Sequence, residues 1–399
     1  MTSAQLARTT PSPAGAIAAP LRVALFSGNY NYVVDGPVRA LNKLVAHLEN
    51  RGHQALVFAP TTRAPAFQHS GELISVPSIA LPGSRSEYRL GLGLSEAARR
   101  RLDAFAPTIV QVAAPDWLGL SALNYARERG IPAVASFHTR FDTYPRYYGL
   151  AWLERHVTSY LRYFYGRCAR VYAPSQSMVD ELKRDGIGDD IRLWARGVDQ
   201  ALFNPARRDL SWRRSVGFGD GDTVVAFVGR VVLEKGIDVF AAALKEAHAS
   251  NSRIRGLVVG DGPERERFAA MAPDAVFTGY LQGEALARAY ASADIFFNPS
   301  ITETFGNVTL EAMASGLACI CAAASGSRSL TEHGKTGLLI ADAKDSTAFA
   351  KAIERLAEDP ARRMRMADAA RTKSASFQWD AILDRLVADY QEIVRRDHL

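Results

Sequence analysis

The feature that most limits how this chain can fold lies near its start, where two apolar runs of strand length flank one amphipathic helix. The runs are residues 21–27 (LRVALFS) and 55–59 (ALVFA). Between them, over residues 38–51, Val38, Leu41, Leu44, Val45 and Leu48 recur at helical spacing, and Gly52-His53 closes the pattern as a glycine C-cap does. Strand, loop, helix and strand in that order make a βαβ unit, and a βαβ unit makes a parallel sheet. The loop between the first strand and the helix, residues 28–36 (GNYNYVVDG), is polar. Pro37 follows it, at a first helical turn where a missing amide costs nothing.

The alternation continues. Residues 109–112 read as a strand, 117–129 as a helix, 133–137 as a strand, and 171–173 as a short strand before a helix ending near Arg184. After a charged, Gly-rich stretch at 205–222 a second series begins. Its strands are expected at 223–228, 256–259, 276–278, 295–298 and 317–322, with helices between them and three more after Ser346. A chain of 399 residues is long for a single core. The expected fold class is therefore α/β, with two Rossmann-like, doubly wound domains and an active cleft between them. Boundaries are placed at 21–205 for the first domain and 206–378 for the second, with a terminal helix at 379–399. Residues 1–20, rich in Ala, Pro, Ser and Thr, read as a disordered leader rather than a signal peptide.

Charge is unevenly spread. Residues 1–179 hold 19 Lys/Arg against 10 Asp/Glu, a net of +9, whereas the remainder is −3 of an overall +6. Basicity confined to one half points to an anionic surface or acceptor there, or to a solvated basic face. Residues 144–170 concentrate it among aromatics: Tyr144, Arg146, Tyr147, Tyr148, Trp152, Arg155, Tyr160, Arg162, Tyr163, Phe164, Tyr165 and Arg167. Core packing accounts for some of these, and a helix facing anionic lipid is the other reading. No nucleic-acid-binding signature accompanies them. No apolar run is long enough to span a bilayer. Three cysteines without disulfide or metal spacing fit a reducing cytoplasm.

Chemistry concentrates in residues 298–316 (NPSITETFGNVTLEAMASG). An apolar strand gives way to a loop carrying Glu303, and a short helix starting near Gly306-Asn307 carries Glu311. Asn307 is expected as the N-cap, and Gly316 suits the exit. The arrangement offers a helix N-terminus to an anion, with one carboxylate before it and one a turn inside. Gly229 and Arg230 end the first strand of the second series, and Lys235 precedes its helix, a backbone approach with two cations that suits a diphosphate. The turn at Gly260 (VVGDGP) resembles a nucleotide turn but lacks the third glycine of GxGxxG. His138 lies just past a strand's carboxyl end, where ligands of open parallel sheets gather; a hydrogen-bonded loop histidine is the alternative. Asp220-Gly221-Asp222 matches a DxD metal pattern in letters but sits in a Gly/Asp turn. Cysteines and histidines lack ligand spacing, so no metal site is expected. GxSxG, HExxH and GxxxxGK[ST] are absent, which argues against a hydrolase of the α/β type, a zincin and a P-loop enzyme.

In this order the pieces resemble a family-4 retaining glycosyltransferase of the GT-B fold. The resemblance rests on GRVVLEKGID (229–238), VVGDGPER (258–265), FTGYL (277–281), ASADIFFNPS (291–300) and ETFGNVTLEAMASG (303–316), nearly all of residues 223–340. HTRFDTYPRYYG and TETFGNVTLEAMASG look closest to the branch of α-mannosyltransferases and sulfoquinovosyl-diacylglycerol synthases. The resemblance implies that Glu303 contacts the donor sugar near its reactive end and Glu311 the ribose. Arg230 and Lys235 bind the diphosphate, Phe305, Gly306 and Asn307 offer backbone amides, and Gly279-Tyr280 lies beside the base. In the first domain Gly36 matches the glycine loop facing the diphosphate, with Asp35-Gly36 in place of the usual Gly-Gly. The region of His138 and Thr139 matches the acceptor-side histidine. The usual proline–glutamate pair after the Gly326 loop is missing near Ser327–Ser329. The last helix is expected to cross back onto the first domain.

The function so implied is transfer of a hexosyl group, with retention, from a nucleotide diphosphate sugar to an acceptor hydroxyl by front-face attack. No cofactor or metal is required. The donor is GDP-mannose or a UDP-hexose or UDP-hexuronate; the acceptor is a lipid, a lipid-linked glycan or a small molecule, met at the inner face of the plasma membrane. A sugar-nucleotide epimerase of the same architecture and a non-catalytic nucleotide-sugar-binding protein are the alternatives.

Overall fold

A computed structural model describes residues 19–81, 87–138 and 151–397. Most of the expected leader, Thr139, and the 144–150 part of the aromatic–basic stretch lie outside these residues.

The opening unit forms as its pattern requires. β1 (Arg22–Phe26) and β2 (Gln54–Ala59) pair in parallel, with Arg22 beside Gln54 and Phe26 beside Phe58. α1 (Gly36–Asn50) crosses between them and buries Val38, Leu41, Leu44, Val45 and Leu48. Its start is held by Asp35, whose carboxylate accepts from the Val38 amide at 2.9 Å, with Pro37 in the first turn. Three strands absent from the expectation follow. β3 (Glu72–Ser75) adds to the sheet beyond β2, and β4 (Ser78–Ala80) with β5 (Arg89–Gly91) forms a small antiparallel pair.

The first domain then runs through α2 (Glu96–Phe105), β6 (Ile109–Val112), α3 (Trp117–Arg129), β7 (Ala133–Ser136), α4 (Glu154–Tyr165), β8 (Arg170–Ala173), α5 (Gln176–Asp185) and β9 (Ile191–Leu193). Its seven strands stand in the order β3-β2-β1-β6-β7-β8-β9, all in parallel. Strand order reverses between β1 and β6, so the crevice of this sheet opens at their carboxyl ends.

The second domain contains α6 (Leu210–Ser215), β10 (Thr223–Val228), α7 (Ile237–Ser250), β11 (Ile254–Val259), α8 (Arg265–Met271), β12 (Ala275–Gly279) and α9 (Gly283–Ala291). It continues through β13 (Ile295–Asn298), α10 (Asn307–Ala314), β14 (Ala318–Ala322), α11 (Ser325–Leu330), β15 (Gly337–Ile340), α12 (Ser346–Glu358) and α13 (Pro360–Ser374). Its sheet is β12-β11-β10-β13-β14-β15, again parallel, and the order reverses between β10 and β13. Both strands therefore deliver their carboxyl ends to the crevice: β10 leads into Gly229-Arg230, and β13 into Glu303 and α10. Val198 and Phe203 already belong to the second core, packed with Phe218, Val224 and Tyr290.

The last helix, α14 (Trp379–Asp397), returns to the first domain. Leu383, Leu386, Val387, Tyr390 and Ile393 pack with Leu21, Val23, Leu25, Leu41 and Leu44. Among the described residues no helix is long and apolar enough to cross a membrane.

Candidate active site

Three glycines shape the second domain's side. Gly229, Gly260 and Gly279 follow or end β10, β11 and β12, and all have positive φ, at 150°, 141° and 74°. The Gly260 amide donates to the Gly279 carbonyl at 2.9 Å, and a Cβ on Gly260 would stand 1.9 Å from the Gly229 carbonyl oxygen. The turns thus lie one against the next as a ledge of bare backbone, which a side chain at Gly260 would pry open. Arg230 rises from this ledge. Beyond it a single 3₁₀ turn, Leu233–Lys235, ends at Gly236 (φ 73°) and enters α7. A Cβ on Gly236 would sit 2.9 Å from Pro299 Cγ, so the glycine lets the turn close on the loop after β13. That closure puts Lys235 Nζ 2.5 Å from Glu303 Oε1.

The start of α10 differs from the expected one. Gly306, not Asn307, takes the cap position, at φ 97° and ψ 56°, with no side-chain capping bond, and Asn307 is the first helical residue. The reason is steric and directional. A left-handed cap suits glycine, and it frees the Asn307 side chain to leave the helix toward the first domain. There it meets Gly36: a Cβ at that position would be 2.6 Å from Asn307 Nδ2. The glycine loop and the amide end of α10 therefore face each other across the gap.

Glu311 lies one turn inside the helix, its Oε2 accepting from the Tyr290 hydroxyl at 3.1 Å. Burial pushes its carboxyl up to about 7, opposed by the positive Arg39 of α1 and by the Tyr290 bond. Phe305, buried, packs edge-on against Phe377, and Tyr280 projects into solvent at the cleft rim.

His138 closes the site from the first domain, two residues past β7. Its Nδ1 lies 2.9 Å from Arg196 Nη2 and its Nε2 2.9 Å from Ser136 Oγ. A guanidinium can only donate, so Nδ1 accepts and the ring proton sits on Nε2. Burial, and then the Arg196 charge, hold the imidazole well below its usual range. Both nitrogens are thus engaged within the protein, and a general base here would have to break one of these bonds. The backbone does reach across: Thr304 Oγ1 donates to the His138 carbonyl at 3.1 Å.

Gly36, Gly229, Gly260 and Tyr280 line one cleft of about 950 Å³ between the domains together with His138, Arg230, Lys235, Glu303, Phe305, Gly306, Asn307 and Glu311, whereas Gly279 holds the Gly260 turn from outside it. Arg39, Lys43, Glu87 and Arg196 line it too and were not anticipated. Arg196 follows the carboxyl end of β9, so the rule that singled out His138 applies equally to it. Arg39 and Lys43 lie one turn apart on α1, a cationic pair on a helix whose other face is core. For Glu87 the sequence carries no signal, because its partner is 143 residues away. The DxD letters resolve as a turn: Asp220 pairs with Arg214 at 2.7 Å, and Asp222 accepts from the Gly219 amide.

Residues 34–202 match the family described as Glycosyltransferase Family 4, and residues 222–359 match the one described as Glycosyl transferases group 1. The chain is 34% identical, over 94% of its length and 90% of the relative's, to a GDP-mannose-dependent alpha-mannosyltransferase of Corynebacterium glutamicum. It belongs to glycosyltransferase family 4. This hexosyltransferase is also 30% identical to a sulfoquinovosyl transferase of Arabidopsis thaliana, across 92% of its own chain and 72% of the other. Its two sheets have the GT-B arrangement: the sucrose-phosphate synthase of Thermosynechococcus elongatus superposes with a TM-score of 0.77 at 20% identity, covering 94% of this chain and all of that one. The cleft of this family-4 glycosyltransferase brings together two cations, the amide end of α10 and two enclosed carboxylates, with the first domain as the opposite wall.

Proposed function

We propose that this glycosyltransferase moves a hexosyl group, with retention, from a nucleotide diphosphate sugar to a hydroxyl of a lipid or glycan, and that GDP-mannose is the first donor to try. One observation carries the reading: Arg230, Lys235 and the amide end of α10 converge on the gap that Gly36 faces from the opposite domain. As the bond from the anomeric carbon to the diphosphate oxygen breaks, negative charge grows on the leaving phosphate. Fixed cations and amides aimed there stabilise the transition state more than the ground state. The acceptor oxygen attacks from the same face, and its proton passes to the departing diphosphate. Glu311 accepts from the ribose hydroxyls, Glu303 orients the sugar, and the ledge from Gly229 to Gly279 with Tyr280 seats the base. No step needs a metal.

For the acceptor, the support lies on α4 and its approach, where Trp152 and Tyr163 are 64% and 56% exposed beside Arg155 and Arg162. Bulky aromatics left in water next to cations suit peripheral contact with the anionic face of a membrane, reached from the cytoplasm.

The test begins with thermal shifts for GDP-mannose, UDP-glucose, UDP-galactose and UDP-glucuronate, since the matched donor raises the melting temperature by mass action. With that donor, Arg230→Ala and Lys235→Ala are each expected to lower kcat/KM by about a hundred- to a thousandfold, the effect of deleting one preorganised charge stabiliser. Near-wild-type turnover in both would end this assignment. Activity should survive excess EDTA; loss restored by Mg²⁺ would mean that a metal takes part.

A further inference from the structure

Both cations assigned to the diphosphate are already occupied. Lys235 lies on Glu303, and Arg230 Nη2 donates at 2.9 Å to Glu87 Oε1, a carboxylate of the first domain. The two pairs differ in kind. Lys235 and Glu303 belong to one domain and are largely enclosed, whereas Arg230 and Glu87 reach across the cleft and are half and one-third exposed. An ion pair so open to water is held weakly and is readily exchanged for a better partner. A diphosphate is a better partner: it brings more negative charge and can take the guanidinium in a bidentate grip.

Glu87 is also not a stray surface acid. The next two residues are tied to the glycine loop. The Tyr88 hydroxyl donates to the Asp35 carboxylate that caps α1. The Arg89 amide donates to the Tyr32 hydroxyl at 3.1 Å, and that hydroxyl donates to the Gly28 carbonyl. Arg89 itself is anchored on Ser78 across the β4–β5 pair. Three consecutive residues thus connect the glycine loop of one domain to the phosphate-reading arginine of the other.

We infer that Glu87 is a displaceable counter-ion of the donor site, holding Arg230 across the cleft and giving it up when a nucleotide diphosphate enters. This rests on the assignment of Arg230 to the diphosphate. Like charge then expels the Glu87 carboxylate from the phosphate oxygens. Donor affinity is set by the difference between the two partnerships, not by the phosphate contacts alone. Glu87 is accordingly a positioning residue, acting through Arg230. While it holds, it keeps the guanidinium extended toward the spot the phosphate will take.

Calorimetric titration of the full chain with GDP tests this. Glu87→Gln removes the competing charge and is expected to tighten GDP binding about two- to fivefold, the range released by an exposed ion pair. Glu87→Asp, one methylene shorter, should fall between wild type and the glutamine variant. Arg230→Ala should weaken GDP by tenfold or more, and in the Glu87→Gln/Arg230→Ala double variant the gain should vanish, because the glutamate acts only through the arginine. If Glu87→Gln binds GDP no better than wild type while Arg230→Ala still loses affinity, the counter-ion is refuted and the diphosphate assignment stands. If Arg230→Ala binds GDP normally, the assignment itself fails. If the gain persists in the double variant, Glu87 acts on the nucleotide directly and the inference is wrong. Unfolding midpoints measured alongside separate a folding defect from a binding change, and a destabilised Glu87→Gln leaves Glu87→Asp to decide.

Discussion

At the scale of single residues, Glu311 makes the sharpest demand. Burial raises its carboxyl to about 7, despite the opposing Arg39 charge and Tyr290 bond. The folded protein therefore holds this proton at pH values where the unfolded chain has released it. Its contribution to stability is greatest at low pH and is lost as pH rises from the ordinary carboxylate range through about 7. Binding runs the other way. In the proposed complex the ionised carboxylate is the stronger acceptor for two ribose hydroxyls, so GDP affinity is expected to climb as pH rises from about 6 to 8, with at most a tenfold change per unit below the pKa. The nucleotide's own terminal phosphate titrates in the same range. Glu311→Gln subtracts that contribution, and its affinity should be lower at high pH and flatter throughout. Parallel profiles for the variant and wild type in calorimetry would remove Glu311 from the ribose.

At the scale of elements, the site depends on two helix starts meeting across the cleft and on the backbone ledge beside them, and the glycines of the two differ in what they permit. A methyl at Gly36 would press on the end of the Asn307 side chain, a flexible group that can move. Gly36→Ala is thus expected to leave the unfolding midpoint nearly unchanged while lowering kcat/KM about ten- to a hundredfold, through displacement at the donor gap. At Gly260 the obstacle is the Gly229 carbonyl, which is backbone, and φ is 141°. Gly260→Ala should therefore cost about 1–3 kcal/mol of stability or more, read by urea denaturation. A tolerant Gly260 together with an intolerant Gly36 fold would contradict both readings. What could be read from the residues alone follows the same line. Helix 117–129 and strand 223–228 agree with their expected limits, because long periodic or apolar runs declare their own bounds. β3, β4 and β5 were not anticipated: they are three or four residues long and largely half-buried or exposed, so no run of apolar residues marks them. The cap of α10 was assigned one residue late, since Asn is the better cap by chemistry and only the proximity of Gly36 shows why it points elsewhere. Glu87 and Arg39 acquire meaning only from the opposite wall, a relation that no local spacing contains.

At the scale of the whole molecule, the chain visits the first domain, builds the second, and returns. α14 is what makes the return structural. Five of its apolar residues are buried in the first domain's core, and Asp389 accepts from the Tyr172 hydroxyl and from Arg192, which draws the helix onto β8 and β9. Burial at about 1.5–3 kcal/mol for each large apolar side chain makes this helix comparable in weight to the net stability of a domain, about 5–15 kcal/mol. The first domain therefore depends on a segment that follows the second, and separating the two in sequence would leave one core open. Tyr390 is the residue to probe. It is fully buried, and its hydroxyl donates to Gln111 Oε1 of β6 at 2.5 Å. Tyr390→Phe keeps the ring and leaves that oxygen unpaired, at an expected cost of about 1–3 kcal/mol. Tyr390→Ala adds a cavity and should cost about 3–5 kcal/mol. Urea unfolding of the full chain gives both numbers, and the order matters more than either one. If the alanine variant unfolds at the wild-type midpoint, the helix is docked rather than built in, and the first domain must be stable without it. With the expected loss, GDP should still protect the protein, since its proposed contacts lie mainly in the second domain, and the two effects should add because Tyr390 is not among the residues that line the cleft.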